Sequence, residues 1–415
     1  MLDLKAIRSE PDAARAALAR RGYQAVATLD RVLELDDRRR TLLPELEQLR
    51  AAKNAASRRI GELQRNGEDA SEAIAEVRSS AERESTLDAE SRELQDSLDA
   101  SVAALPNLPD PDAALQDTVL REVGAAGAAG RDHLELLGGL VDLEAGSRVA
   151  GSRFAFIKGP LVMLELALVR WVLEELSGRG FEPVIPPVLA REEALFGTGF
   201  LPDTEQQIYR VPDDDLYLVG TSEVPLASMH AEQIFTEDEL PLRYAGYSPC
   251  FRREAGAAGR DTRGIFRVHQ FHKVEMFTFV RPQDATTEHE RLLSIEEALM
   301  QALDLPYRVV NIAVDDLGAS AAKKYDIEVW LPGQERYREL TSCSNTTAFQ
   351  ARRLNIRYRP DGGKGPVHVH TLNGTAVAVG RMIIALVEYG QQEDGSVVLP
   401  EALTGFGAPA GIDAV

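Results

Sequence analysis

The chain has 415 residues, 44% of them hydrophobic and 27% charged, with a formal charge of −20. That length exceeds one ordinary core and fits two folded units, and the composition excludes a disordered chain. The acidity excludes indiscriminate attraction to phosphate backbones, so a nucleic-acid partner depends on local basic patches and shape; no DNA partner is expected. The start, Met1-Leu2-Asp3-Leu4-Lys5, lacks a signal pattern, and the most apolar run, Leu161 to Leu176, is interrupted by Glu165, Arg170, Glu174 and Glu175. No membrane insertion is expected, and the cytoplasm is the expected location. Two distant cysteines, Cys250 and Cys343, support neither a disulfide framework nor a thiolate zinc site.

After a short amphipathic opening, Leu35, Leu42, Leu49, Ala56 and Leu63 recur every seven residues, with Leu46 and Ile60 at the companion offset. A second seam is read through Ile74, Val77, Ala81, Leu87, Leu94 and Leu98. Asn66-Gly67 between them is a turn signal, which predicts two helices of about 35 residues folded into an antiparallel hairpin. Pro44 predicts a bend or a helix start. The first helix is rich in arginine and the second in glutamate and aspartate. Two readings of that asymmetry stand together: faces that attract one another across the hairpin, or an arginine-bearing face offered to RNA.

Leu105-Pro106-Asn107-Leu108-Pro109-Asp110-Pro111 ends the hairpin, dividing the chain into an arm, residues 1–104, and a body, residues 105–415. In the body, an apolar helix over Leu161 to Leu176 mixes with short strands at Gln207 to Val211, Leu216 to Val219, Phe271 to Val280 and Ile327 to Leu331. There is no regular strand-helix repeat and no glycine loop of the usual nucleotide-binding kinds, so the fold class read here is α+β with an antiparallel sheet.

Along Phe271-His272-Lys273-Val274-Glu275-Met276-Phe277-Thr278-Phe279 a period of two puts Phe271, Lys273, Glu275, Phe277 and Phe279 on one face. Alone, that stripe reads equally as an aromatic core edge with an ion pair. Upstream, Phe251-Arg252-Arg253-Glu254 places Arg252 and Glu254 on one face, and Ala255 to Phe266 forms a Gly- and Arg-rich connection. Phe271 and Glu275 stand about 13 Å apart, room for an adenine at one end and a small polar group at the other. Near the C-terminus, Thr371 to Arg381 reads as a strand, a glycine turn and a helix start, with Arg381 a bidentate partner for phosphate.

These segments resemble the three motifs of the class II aminoacyl-tRNA synthetases. Gly180-Phe181-Glu182-Pro183-Val184-Ile185-Pro186-Pro187 resembles the first, with Pro187 at the motif's proline; Phe251 to Glu254 resembles the second and Gly374 to Arg381 the third. Gly220-Thr221-Ser222-Glu223-Val224-Pro225-Leu226, Arg260-Asp261-Thr262-Arg263-Gly264, Val268 to Glu275 and Glu339-Leu340-Thr341-Ser342-Cys343-Ser344-Asn345 narrow the resemblance to the seryl-tRNA synthetases, across essentially the whole chain.

The resemblance implies a coiled-coil arm that grips tRNA, a class II catalytic domain, and a homodimer with motif 1 at its interface. It implies activation of L-serine by ATP and transfer of the seryl group to tRNA(Ser), and to tRNA(Sec) where that tRNA exists. Arg252 and Arg381 are the implied catalytic residues. ATP is implied to meet Arg252, Arg253, Glu254, Arg267, Val268, Phe271, Glu339, Leu340, Thr341, Ser342 and Arg381; Mg2+ to sit at Glu339 and Ser342. Serine is implied at Thr221, Ser222, Glu223, Glu275 and Thr375. The tRNA contacts are expected at Arg38, Arg50, Arg58 and Arg59 of the arm and at Arg260 and Arg263 of the body. Two departures stand out: Arg253 replaces a small residue, and Thr375 replaces serine while keeping the hydroxyl. Two other readings are weighed: a relative that loads an amino acid onto a carrier protein, which would lack the long arm, and an interaction protein on a dead body, which would have lost Arg252, Glu254, Glu339 or Arg381.

Overall fold

The computed structural model describes residues 1–202, 207–255 and 263–414. Its contacts divide the chain into two compact units, Leu2–Leu105 and Pro106–Val415, with Met1 counted in the second.

In the first unit, two short helices, Leu4–Ser9 and Pro11–Ala19, precede the long helices Tyr23–Asn66 and Ser71–Ala104. The first long helix therefore spans 44 residues and the second 34. Pro44 lies inside the first helix and starts nothing. It removes one donor, a local cost of about 3 kcal/mol that the packed seam on either side outweighs. Gly67 (φ 73°) ends the helix in the left-handed region. There the Glu68 N–H donates to the Leu63 carbonyl (2.9 Å) and the Gly67 N–H to the Gln64 carbonyl (3.3 Å), which reverses the chain.

Leu35, Leu42, Leu46 and Ala56 are buried as expected. The second seam is corrected near the turn, where Ile74 is 48% exposed and Ala81 is also exposed. The inward heptad runs instead through Ala73, Ser80, Leu87 and Leu94, with Val77, Glu84, Ser91 and Leu98 beside it. Glu84 sits in that seam because Arg50 (3.2 Å) and Lys53 neutralise it across the hairpin. Arg50 also meets Asp88 (2.8 Å), Arg38 meets Glu90 (3.5 Å) and Arg83 meets Glu45 (2.9 Å). The charge asymmetry thus serves attraction between the helices at Arg38 and Arg50. Arg58 and Arg59 are exposed, and neither is ion-paired among the described residues.

The second unit is built on an eight-stranded sheet. Its strands, numbered here in chain order, are β1 (Thr118–Val123), β2 (Glu182–Val184), β3 (Leu242–Phe251), β4 (Gln270–Val280), β5 (Tyr307–Asn311), β6 (Lys323–Leu331), β7 (Arg336–Asn345) and β8 (His370–Ala378). They lie in the order β1-β5-β6-β7-β8-β4-β3-β2, antiparallel throughout except for the short β2, which runs parallel to β3. Helices Pro160–Gly178, Ala285–Ala302 and Val379–Gly390 bury Leu164, Leu168, Leu292, Leu299, Ile383 and Leu386 in one core with Val274 and Met276 of β4 and Ile327 and Val329 of β6. Because strand residues alternate, Phe271, Lys273 and Glu275 of β4 and Lys324 of β6 are turned to the other face, where they line a cavity. The stripe read along β4 is split. Phe277 and Phe279 are fully buried in a second core with Leu226, Phe235 and Tyr358, so the odd-numbered face is cavity floor only as far as Glu275.

Candidate active site

The cavity has a volume of about 430 Å³. Strands β4, β6, β7 and β8 supply its floor with Lys273, Glu275, Lys324, Glu339, Ser342, Asn373 and Thr375; Arg252 and Glu254 follow the end of β3, and the segments Thr198–Phe200 and Gly318–Ala321 complete the wall.

At one end, Glu275 of β4 stands opposite Thr375 of β8, whose Oγ1 donates to its carboxylate at 3.3 Å. Lys273, two residues earlier on the same face, forms an ion pair with Glu275 and donates from Nζ to Thr221 Oγ1 at 2.8 Å. Both partners are almost wholly buried, so this pair lies within the site and is no edge contact. Glu223, in the first turn of the short helix Glu223–Ser228, accepts from Gln350 Nε2 (2.7 Å) and Asn373 Nδ2 (3.0 Å). Burial, with the nearby Glu275 carboxylate, pushes the Glu223 carboxyl up to about 7. This end thus presents two carboxyls, Glu223 and Glu275, with Lys273 paired to the second.

Further along, Arg252 donates from Nε to the Gly220 carbonyl (3.2 Å) and lies over the Phe271 ring, 5.4 Å from its centroid. Glu254, with its backbone in the left-handed region (φ 52°), is held by the Arg267 guanidinium. Arg381, in the first turn of the helix Val379–Gly390, donates to the Glu339 carbonyl (2.9 Å) and lies 4.6 Å from the Phe266 ring centroid. Burial would raise the Glu339 carboxyl, but Arg381, Lys324, Arg252 and Arg267 outweigh it and hold the group below its ordinary range. Its side chain keeps 42% of its surface open to the cavity. Lys324 in turn pairs with buried Asp326 at 2.9 Å on β6, opposite Ser342 of β7.

Of the residues expected here, Thr221, Glu223, Glu275 and Thr375 meet at the first end, and Arg252, Glu254, Arg267, Val268, Phe271, Glu339, Leu340, Ser342 and Arg381 line the rest. Three expected residues do not reach the cavity. Ser222 is fully buried, with its Oγ 2.8 Å from Ser248 Oγ. Thr341 points to the helix-covered face and donates to Glu296 Oε2 at 3.3 Å, since it alternates with Ser342. Arg253 is absent from the lining, and its backbone N–H donates to the Gln207 carbonyl (2.9 Å). Arg263 is 67% exposed and paired with Asp132 (3.2 Å) and Glu135 (3.8 Å); Arg260 lies outside the described residues. Cys343 is fully buried, and burial pushes its thiol well above the ordinary range.

Sequence reading missed Asn373, Gln350, Phe266 and Lys324. Asn373 was legible, since it shares a strand face with Thr375; so was Lys324, by alternation from the buried Ile327. Gln350 lies in a stretch with no chemical pattern of its own, and Phe266 closes a connection whose pattern is its glycines and arginines. Among the described residues no cluster of three His, Cys, Asp or Glu side chains forms a metal cage.

The chain matches two family models: "Seryl-tRNA synthetase N-terminal domain" over residues 1–109 and "tRNA synthetase class II core domain (G, H, P, S and T)" over residues 208–389. It is 48% identical to a serine-tRNA ligase of Thermobifida fusca over 98% of this chain and 97% of that one. Among solved structures it is similar to seryl-tRNA synthetase from Pyrococcus horikoshii complexed with ATP, with a TM-score of 0.93, 41% identity and full coverage of both chains. It is also similar to cytoplasmic serine-tRNA ligase from Naegleria fowleri in complex with AMP, with a TM-score of 0.86, 29% identity and coverage of 98% and 96%.

Proposed function

Since the chain belongs to the class II seryl-tRNA synthetases, an enzyme family that activates serine with ATP and charges tRNA with it, we propose how its own residues divide that work. The serine carboxylate attacks the α-phosphorus of ATP, pyrophosphate leaves, and seryl-adenylate forms. A terminal ribose hydroxyl of tRNA then attacks the seryl carbonyl carbon, and AMP leaves. Both partners of the first step are anions, so alignment and neutralisation matter more than an acid or base.

The observation that carries this reading is the single face of β4. At one end Phe271 lies beneath the Arg252 guanidinium, and at the other Glu275 pairs with Thr375 and Lys273. Adenine stacks on Phe271, with its amino group donating to Glu254; Arg381 packs over the ring and reaches the γ-phosphate. Arg252 bridges the serine carboxylate and the α-phosphate. The serine ammonium sits beside Glu223 and Thr221, and its hydroxyl bonds Glu275 and Thr375. A site built for a hydroxyl rejects alanine by roughly 10⁴-fold, because its buried polar groups would otherwise go unpaired.

Magnesium fits the remaining donors. Glu339 is held ionised and open to the cavity, and Ser342 lines the same wall, which gives two hard oxygens to complement phosphate and water ligands. Bound there, the ion would neutralise phosphate charge.

The arm grips tRNA(Ser), and tRNA(Sec) where present, by shape and phosphate contacts, with the exposed Arg58 and Arg59 as its free cations. Exposed Val162, Met163 and Leu166 on the helix Pro160–Gly178, with Ile185 of the motif 1 segment 82% exposed, form the apolar face on which a second copy docks. No helix among the described residues is long and apolar enough to cross a membrane, and the cytoplasm is the proposed location.

Pyrophosphate exchange with each amino acid, followed by transfer to total tRNA, tests the reading. Exchange with serine and serine charging are expected. Exchange with glycine or alanine in its place would overturn the specificity, and serine exchange without charging would favour a carrier-protein acceptor.

A further inference from the structure

Arg381 and Glu254 are each held by a residue of one short segment: Phe266, whose ring also lies 3.7 Å from the Arg338 guanidinium, and Arg267. What fixes that segment is a histidine outside the cavity. His133 is 4% exposed and opens the short helix His133–Leu137. Its Nδ1 lies 3.2 Å from Glu388 Oε1, and its Nε2 accepts the Ile265 N–H at 3.3 Å.

Glu388 is 1% exposed and belongs to the helix Val379–Gly390, which also carries Arg381. Its carboxylate accepts the His133 N–H (3.2 Å) and the Gly333 N–H (2.9 Å) as well. A carboxylate meeting donors on both oxygens takes the imidazole proton bond too, so Nδ1 carries the hydrogen and Nε2 offers its lone pair to Ile265.

The approach is close enough to dictate the neighbouring residue. A Cβ at position 264 would stand 2.2 Å from His133 Nε2, and Gly264 adopts φ +80°. One residue before each, Asp132 pairs with Arg263 at 3.2 Å while it caps the helix through Leu134 and Glu135.

We propose that His133 is a positioning residue for nucleotide binding: it ties the Ile265 backbone to the helix of Arg381 through Glu388, so that Phe266 and Arg267 stand where Arg381 and Glu254 need them. This rests on the nucleotide roles proposed above for Arg381 and Glu254. A histidine serving only to fill the core would affect stability and leave ATP affinity alone.

The two nitrogens are separable. His133→Asn keeps an amide near Nδ1 for Glu388 and cannot reach Ile265. His133→Gln sets an amide oxygen near the place of Nε2 and keeps that acceptor. In pyrophosphate exchange the Asn variant is expected to raise KM for ATP about tenfold, the loss of one buried hydrogen bond. KM for serine stays unchanged, and His133→Gln recovers most of the loss. Equal KM values for ATP in both variants, or equal rises for ATP and serine, would overturn the proposal. If His133→Asn does not fold, Gly264→Ala, whose methyl would press on the imidazole, is read the same way. Calorimetric ATP affinity of the same variants separates this from the parent reading: absence of serine exchange in the wild type defeats the latter and leaves the role of His133 still measured.

Discussion

In the arm, Leu87, Leu94 and Leu98 do the same job along one face of one helix; along β4, Phe271, Lys273 and Glu275 are neighbours on one face and each meets a different kind of partner. The seam spreads its energy over repeated contacts, so position matters more than identity. The site concentrates its chemistry in single atoms supplied by distant segments: Thr221, Asn373 and Gln350 come together only through the sheet. Substitutions in the arm should therefore change stability and charging in graded steps, whereas substitutions on β4 should change chemistry abruptly with little effect on the arm.

The largest break is expected at Glu275. Glu275→Ala removes the acceptor for the serine hydroxyl, and the preference for serine over alanine, roughly 10⁴ in kcat/KM, should collapse towards the small factor an apolar pocket gives. Comparative pyrophosphate exchange checks it; a preserved preference would assign the hydroxyl to another residue.

Leu94→Ala, at a buried seam position, should cost the hairpin about 2–5 kcal/mol. Thermal unfolding followed by circular dichroism reads that loss, while serine activation should be unaffected. A fall in activation equal to the fall in charging would remove the distinction between the regions.

The pH dependence of serine binding sharpens the site's side. The Glu223 carboxyl is raised from 4.5 to about 7 by burial first and then by Glu275, so the native state holds a proton that the unfolded chain has already released. Stability of the ligand-free enzyme contributed by that group therefore falls as pH rises from about 4.5 to about 7. Serine's ammonium needs the ionised form, so KM for serine should fall by up to about tenfold per pH unit as pH rises towards 7, and level off above it. A flat profile, or one preserved in Glu223→Gln, would contradict the assignment.

The smallest effect is expected at Arg50, whose pairs with Glu84 and Asp88 are partly exposed. Arg50→Ala should cost no more than about 1 kcal/mol.

The hairpin, its Asn66-Gly67 turn and the strands β4 and β6 were legible because each follows from a local period or a glycine. The seam register slipped at Ile74 and Ala81 because the inward positions there, Ala73 and Ser80, carry almost no hydrophobic signal. The helix start offered at Pro44 failed for a related reason: the local rule it breaks is outweighed by contacts along 44 residues of helix. In the site, residues on motif strands were found, and alternation alone separates Ser342, in the cavity, from Thr341, beneath it. Phe266, Gln350 and His133 were not found. Their roles depend on partners more than eighty residues away, at Arg381, Glu223 and Ile265, and no local pattern announces such a pairing.

The separation of the two regions is tested most directly by deleting residues 30–102 and measuring serine-dependent pyrophosphate exchange and tRNA charging on the same preparation. Exchange retained with charging lost is the expected result; charging that survives the deletion would contradict the role given to the arm.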